Sequence, residues 1–209
     1  MFEFLVIIGL IGLWILNFVI SFINAVGVGM AWTESSIIGG WQKLVTGAAA
    51  VMSMAGFTWC YLLIAVFIAS TFNLLEPEYI DAMASLGYLI IIFPILGTGL
   101  AITIDSWAYT IRNKSFGGLA ISSYNTVALT YNMFRALDAV PKALGNVIET
   151  LLGGNSSNSK GKGATRLLVI VIVIVVLVLG ILTTIAIVKW IANKDRKKSV
   201  EKINEAYSS

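Results

Sequence analysis

The sequence has no histidine and a single cysteine, Cys60. Without histidine, the chain lacks the commonest metal ligand and the commonest general base. With only one cysteine as well, zinc, haem and Cys–His chemistry have no foundation. A lone cysteine closes no internal disulfide and says nothing about redox compartment. Cys60 lies inside an apolar run and reads as a small buried residue. Charge is also scarce, at 12% of residues against roughly 25% in a soluble domain. There is no Walker loop, no GxGxxG after a strand, no GxSxG, no HExxH and no CxxC. The only paired carboxylates, Glu76 and Glu78, read as a solvated loop pair. No cofactor or metal is expected, and the chain does not read as an enzyme. No inverted repeat is visible, which argues against a conventional secondary transporter.

What is present is apolar. Hydrophobic residues make up 58% of the chain and the mean hydropathy is +0.89. Four runs are long enough to cross a bilayer, at residues 4–23, 44–72, 86–104 and 167–188. The first has no basic residue ahead of it, so it reads as a retained span rather than a secretory signal. The second exceeds what a perpendicular crossing needs, so tilt is expected. Pro94 should kink the third. The fourth is an unbroken β-branched run ended by Lys189 and Trp190.

The expected fold is therefore an all-α integral membrane protein. It is a bundle of four transmembrane helices plus a central segment that is either amphipathic or a fifth span. Residues 1–153 form the membrane bundle, with the central segment at 115–152. Residues 154–166 form a flexible polar linker, 167–190 the C-terminal span and 191–209 a basic cytoplasmic tail that frays or forms a short exposed helix. Gly27, Gly29, Gly39 and Gly40 should interrupt the helix in the connection at 24–42, with Trp32 and Trp41 as interface anchors and Glu34 as an exposed loop acid.

The central segment is the most informative stretch. Residues 115–134 contain no charge. On a helix, Phe116, Ala120, Ile121, Tyr124, Val127, Ala128, Tyr131 and Phe134 share one side, and Ser122, Asn125, Thr126, Thr130 and Asn132 share the other. Leu119, Leu129 and Met133 are exceptions to that division. An uncharged polar stripe can face other helices, a water path or the bilayer surface. After it, Pro141 suits the first turn of a new helix, in which Val140, Leu144, Val147, Ile148 and Leu151 form an apolar face.

Other polar and small residues suggest contacts. Asn17, one turn from Ser21, reads as an interhelical hydrogen bonder. Asp105, at the end of the third run, is a boundary acid, solvated or paired, or else an ion or proton site. Ala49 with Ser53, and Gly97 with Ala101, form small-xxx-small pairs that let helices approach closely.

Positive-inside counting compares two topologies. Five spans with the acidic 76–81 loop outside place nine bases inside and five outside; four spans place eight and six. The basic tail prefers the cytoplasm, so the expectation is a cytoplasmic-type membrane with the C-terminus inside. Lys194, Arg196, Lys197 and Lys198 would hold anionic headgroups at about 1 kcal/mol each; nucleic acid is not an expected partner. Two functions fit. One is a non-enzymatic membrane subunit that self-associates, or joins other membrane subunits, through small-residue helix faces. The alternative is a pore or transport component whose water path is lined by the polar stripe at 122–132.

Overall fold

A computed structural model describes residues 2–38, 41–152 and 160–208. All the elements in these residues are helical. The helices are α1 (Phe2–Ile38), α2 (Trp41–Thr71), α3 (Pro77–Asn113), α4 (Phe116–Val147) and α5 (Lys160–Ser208), with a π-helical turn, Ile148–Leu152, closing α4. Stretches within α1, α2, α3 and α5 are long and apolar enough to cross a membrane: Ile7–Ala31, Val45–Thr71, Pro77–Asn113 and Gly163–Glu201. At 1.5 Å per residue, the 37 residues of α1 extend about 55 Å, well beyond the roughly 30 Å of a bilayer's hydrocarbon core.

The helices extend further than the sequence suggests. Glycines 27 and 29 do not interrupt α1. A helical glycine costs about 1 kcal/mol relative to alanine, and here packing offsets it. Ala25 and Val28 are buried, and a Cβ on Gly29 would stand 2.8 Å from the Cβ of Ile191 on α5. Gly39, Gly40 and residues 153–159 lie outside the described residues, as do the side chains of Trp32, Glu34 and Trp41. Of the expected linker, residues 160–166 belong to α5. The tail continues as helix to Ser208.

The acidic loop is shorter than expected. Asn73 turns the chain with φ 50°, and Pro77 opens α3 at its first turn, where a missing N–H costs nothing. Glu78 therefore lies in that helix's first turn, where a negative charge complements the helix dipole, and Asp81 also lies within α3. The helix runs on through Pro94, whose carbonyl accepts the Thr98 hydroxyl at 2.7 Å.

Pro141 likewise starts no new helix; it lies inside α4. Support from α3 explains the continuity. Ala136 and Ala143, on either side of the proline, are both buried, and Asn146 reaches Ser85 at 3.3 Å. Of the face expected from Val140 to Leu151, Leu151 is buried and Val140 and Val147 are half-buried, with Val147 against the core, whereas Leu144 and Ile148 are exposed. The π-helical turn reorients the chain's end and brings Leu151 into the core.

Contacts define how the helices run. Asn17 on α1 meets Gly56 on α2, and Trp14 meets Cys60. Gly87 on α3 lies against Leu62, and Thr98 reaches Met52. These pairs make α2 antiparallel to both α1 and α3. The core cluster joins Leu62 and Ala69 of α2 to Tyr79, Ala82 and Met83 of α3, Leu151 of the π turn, and Val169, Val173 and Val176 of α5. Gly180 lies against Met54 and Thr58, so α5 is also antiparallel to α2. The start of α5, the α2–α3 loop and the end of α4 thus share one end of the bundle. The α5 tail, the end of α1 and the α3–α4 turn share the other.

Candidate functional site

The polar side chains form two seams. The first joins α1 to α2. Asn17 Nδ2 donates to the Gly56 carbonyl at 3.0 Å and approaches Cys60 Sγ at 3.2 Å. Trp14 Nε1 donates to the Cys60 carbonyl at 3.1 Å. Phe18 stacks on Trp14 and sets its edge against Phe57, with ring centroids 5.6 and 5.3 Å apart. Ser21 is buried and returns its hydroxyl to the Asn17 carbonyl at 2.7 Å. Asn17 thus acts as an interhelical hydrogen bonder.

Beside this seam, α1, α2 and α3 enclose a cleft of about 270 Å³. Its walls carry Asn17, Ser21 and Asn24 from α1, Gly56 and Trp59 from α2, and Tyr88 with three isoleucines from α3. No acid or base lines it. It can accept an apolar chain, but it holds no carboxylate, amine or imidazole for proton transfer at neutral pH.

The second seam joins α3 to α4 and contains the polar stripe. Ser115 caps α4 by accepting from the Gly118 backbone N–H at 3.2 Å. One turn on, Ser122 is fully buried. Its hydroxyl is 2.8 Å from Thr110 Oγ1 on α3 and 2.8 Å from the Gly118 carbonyl. A Cβ on Gly118 would meet Thr110 Oγ1 at 2.8 Å, so the glycine is what allows the two helices to approach there. Trp107 Nε1 donates to Thr126 Oγ1 at 2.9 Å. Asn125 and Asn132 are half-buried, and Thr130 is exposed. Leu129, an exception to the stripe, faces Gly99. Replacing Ser122 with alanine should cost about 0.6 kcal/mol, the typical worth of an interhelical hydrogen bond between membrane helices. Leucine at the same position has no room beside Thr110 and should cost several times more. Unfolding of the purified protein in detergent distinguishes the two.

The other candidate residues are dispersed. Asp105 is half-buried on α3, and among the described residues no group of three metal-ligating side chains comes together. Ser53 is fully buried and donates to the Ala49 carbonyl at 2.9 Å, which makes it part of the bundle interior. Ala101 is half-buried, but a Cβ on Gly97 would meet nothing within 4 Å. Within the chain, close approaches between helices are made at Gly29, Gly56, Gly87, Gly118 and Gly180, which the small-residue pairs do not include. A glycine isolated within an apolar run, as Gly180 is in residues 167–188, is the signal that would have found it. On the tail, Lys194, Arg196, Lys197 and Lys198 are exposed, with Lys194 Nζ 5.5 Å from the Trp190 ring centroid.

The class these features define is a helical protein in which, among the described residues, four helices are long and apolar enough to cross a membrane. Compared with protein-family models, curated proteins and solved structures, the chain matches none.

Proposed function

We propose that the protein is a non-enzymatic multi-pass membrane subunit that builds a larger membrane assembly with copies of itself or with other membrane proteins. Its C-terminal tail faces the cytoplasm, and its exposed bases contact anionic headgroups. The observation that carries this reading is how the buried hydroxyls are used. Ser53, Thr58, Thr98, Thr103 and Thr184 each donate to a carbonyl of their own helix, while Thr110 and Ser122, with one hydroxyl proton each, lie 2.8 Å from one another and from the Ser106 and Gly118 carbonyls. Such side chains serve packing within and between the helices. Large apolar side chains, by contrast, cover the outside of the candidate spans: Leu13, Phe67, Phe93 and Leu167 are all more than 60% exposed. That surface suits acyl chains and neighbouring helices.

The alternative is a pore or transport component whose water path is lined by the stripe at 122–132, of which Ser122 and Thr126 meet α3 while Thr126 and Thr130 are exposed. Planar bilayers containing the purified protein separate the readings. The subunit reading expects no single-channel conductance; ion-selective conductance altered by Ser122 and Asn125 substitutions would establish the pore instead.

A further inference from the structure

We propose that the cleft between α1, α2 and α3 is a binding site for an uncharged, carbonyl-bearing lipid of the isoprenoid quinone class. The inference rests on the membrane placement of the subunit reading and not on its assembly.

α1 and α3 each pack extensively along α2 but not along each other. The cleft lies between them, with α2 as its floor, and Ile20 on its wall is 45% exposed. Its depth follows from the helices that form it. Asn17 lies near the middle of the candidate span Ile7–Ala31, and Gly56, which it bonds, near the middle of Val45–Thr71. The isoleucines of α3 on the wall, Ile91, Ile92 and Ile95, fall in the middle of the apolar run at 86–104. The cleft therefore sits at the centre of the bilayer, roughly 15 Å from either edge of the hydrocarbon. A lipid enters it sideways, from between the acyl chains.

Four polar side chains on these apolar walls have hydrogen bonds left to make. Asn17 spends its Nδ2 on Gly56 and Cys60, but no donor among the described residues reaches its Oδ1. Among the described residues the Asn24 amide, the Trp59 indole N–H and the Tyr88 hydroxyl also have no partner. All four side chains are half-buried. Water would solvate such groups at a protein surface. At the centre of a bilayer it does not, and an unpaired amide, indole or hydroxyl is costly there.

These groups select the occupant. Trp59 can only donate, and Asn24 and Tyr88 can donate as well, so the molecule must present oxygen acceptors. No cation on the walls offsets a phosphate or a carboxylate, and those groups, like the ester carbonyls of a phospholipid, belong to the headgroup level. A bare acyl chain reaches the depth but accepts no hydrogen bond. An isoprenoid quinone meets each requirement. It is uncharged and resides within the hydrocarbon. Its ring carbonyls accept from the donors, and its flat ring suits the aromatic faces of Trp59 and Tyr88. Its tail continues along the isoleucines and out between α1 and α3. The cleft's volume of about 270 Å³, about nine times a water molecule's share of the liquid, takes one ring and the start of a tail.

The test uses purified full-length protein in phospholipid nanodiscs, so that phospholipid competes throughout. An azido-substituted, short-tailed ubiquinone should, on illumination, label the cleft residues saturably, as read by peptide mass mapping. Unlabelled ubiquinone should suppress the labelling, and an alkylbenzene with the same tail but no oxygen should do so about tenfold less well. Asn24→Leu and Trp59→Phe each remove a donor while keeping an apolar side chain of similar size. Each should raise the half-saturating concentration about fivefold, the worth of one hydrogen bond. Asn125→Leu, on α4 and away from the cleft, should leave it unchanged. Equal suppression by the alkylbenzene would reduce the cleft to an apolar gap and overturn the proposal, on the parent protein alone. Labelling that never saturates, or that spreads over exposed positions such as Phe67 and Phe93, would overturn it too and leave the assembly reading standing.

Discussion

Gly180→Leu separates α5 from α2 and destabilises the protein by about 3 kcal/mol or more, the upper part of the range for overpacking a close-packed interior. A Cβ at this position would stand 2.7 Å from the Thr58 backbone nitrogen and 2.9 Å from the Met54 carbonyl oxygen. Backbone cannot move aside as a flexible side chain can, so alanine should already be harmful. The contact lies midway along two helices, and separating them disturbs the rest of their seam. Beside it, the Tyr61 hydroxyl meets Thr183 Oγ1 at 2.8 Å, and Thr184 is buried. Gly97→Ala is the control. Its Cβ would meet nothing within 4 Å, so the substitution should be neutral or gain up to about 1 kcal/mol of helix propensity. Reversible unfolding in mixed detergent micelles measures both. Equal behaviour of the two variants would contradict the packing described for α2 and α5.

The second large effect is all-or-none labelling across the membrane. The α2–α3 loop and the α5 tail lie at opposite ends of the bundle. The tail end gathers Lys43, Arg112, Lys114 and the bases from Lys189 onward, while the loop end gathers Glu76, Glu78 and Asp81 with fewer bases, Lys160, Lys162 and Arg166. Bases next to a span resist translocation, so the tail end should be cytoplasmic. In intact cells, Glu78→Cys should react fully with an impermeant thiol reagent, and Ser199→Cys should react only after the membrane is opened. The reverse pattern would invert the topology, and labelling of both in intact cells would place the two positions on one side.

Much of the architecture is legible in the sequence, because twenty apolar residues in a row have few other uses. Each of the four candidate spans overlaps one of the four hydrophobic runs, and the division of α4 into faces is visible in its periodicity. Element ends are less legible. The glycines of α1 and Pro141 of α4 act as breakers only where no neighbour supports the helix. Here Ile191 covers Gly29, and Ser85 meets α4 one turn beyond Pro141. The small-residue pairs show the same limit. They mark faces on which close approach is feasible but do not say which helix, of this chain or of another, meets them, and Gly180, in no such pair, makes a close approach they do not mark. The direction of the polar stripe was open for a similar reason. Its partners Thr110 and Trp107 lie on another helix, and only the antiparallel register of α3 and α4 brings them to Ser122 and Thr126.

The central claim is that this chain works as a subunit of a larger membrane assembly. Native mass spectrometry of the protein released with its surrounding membrane tests it most directly. The monomer has a mass of 22.5 kDa. The account predicts a species of two or more copies, or a defined complex with other membrane proteins. A lone 22.5 kDa chain with bound lipid only would contradict it.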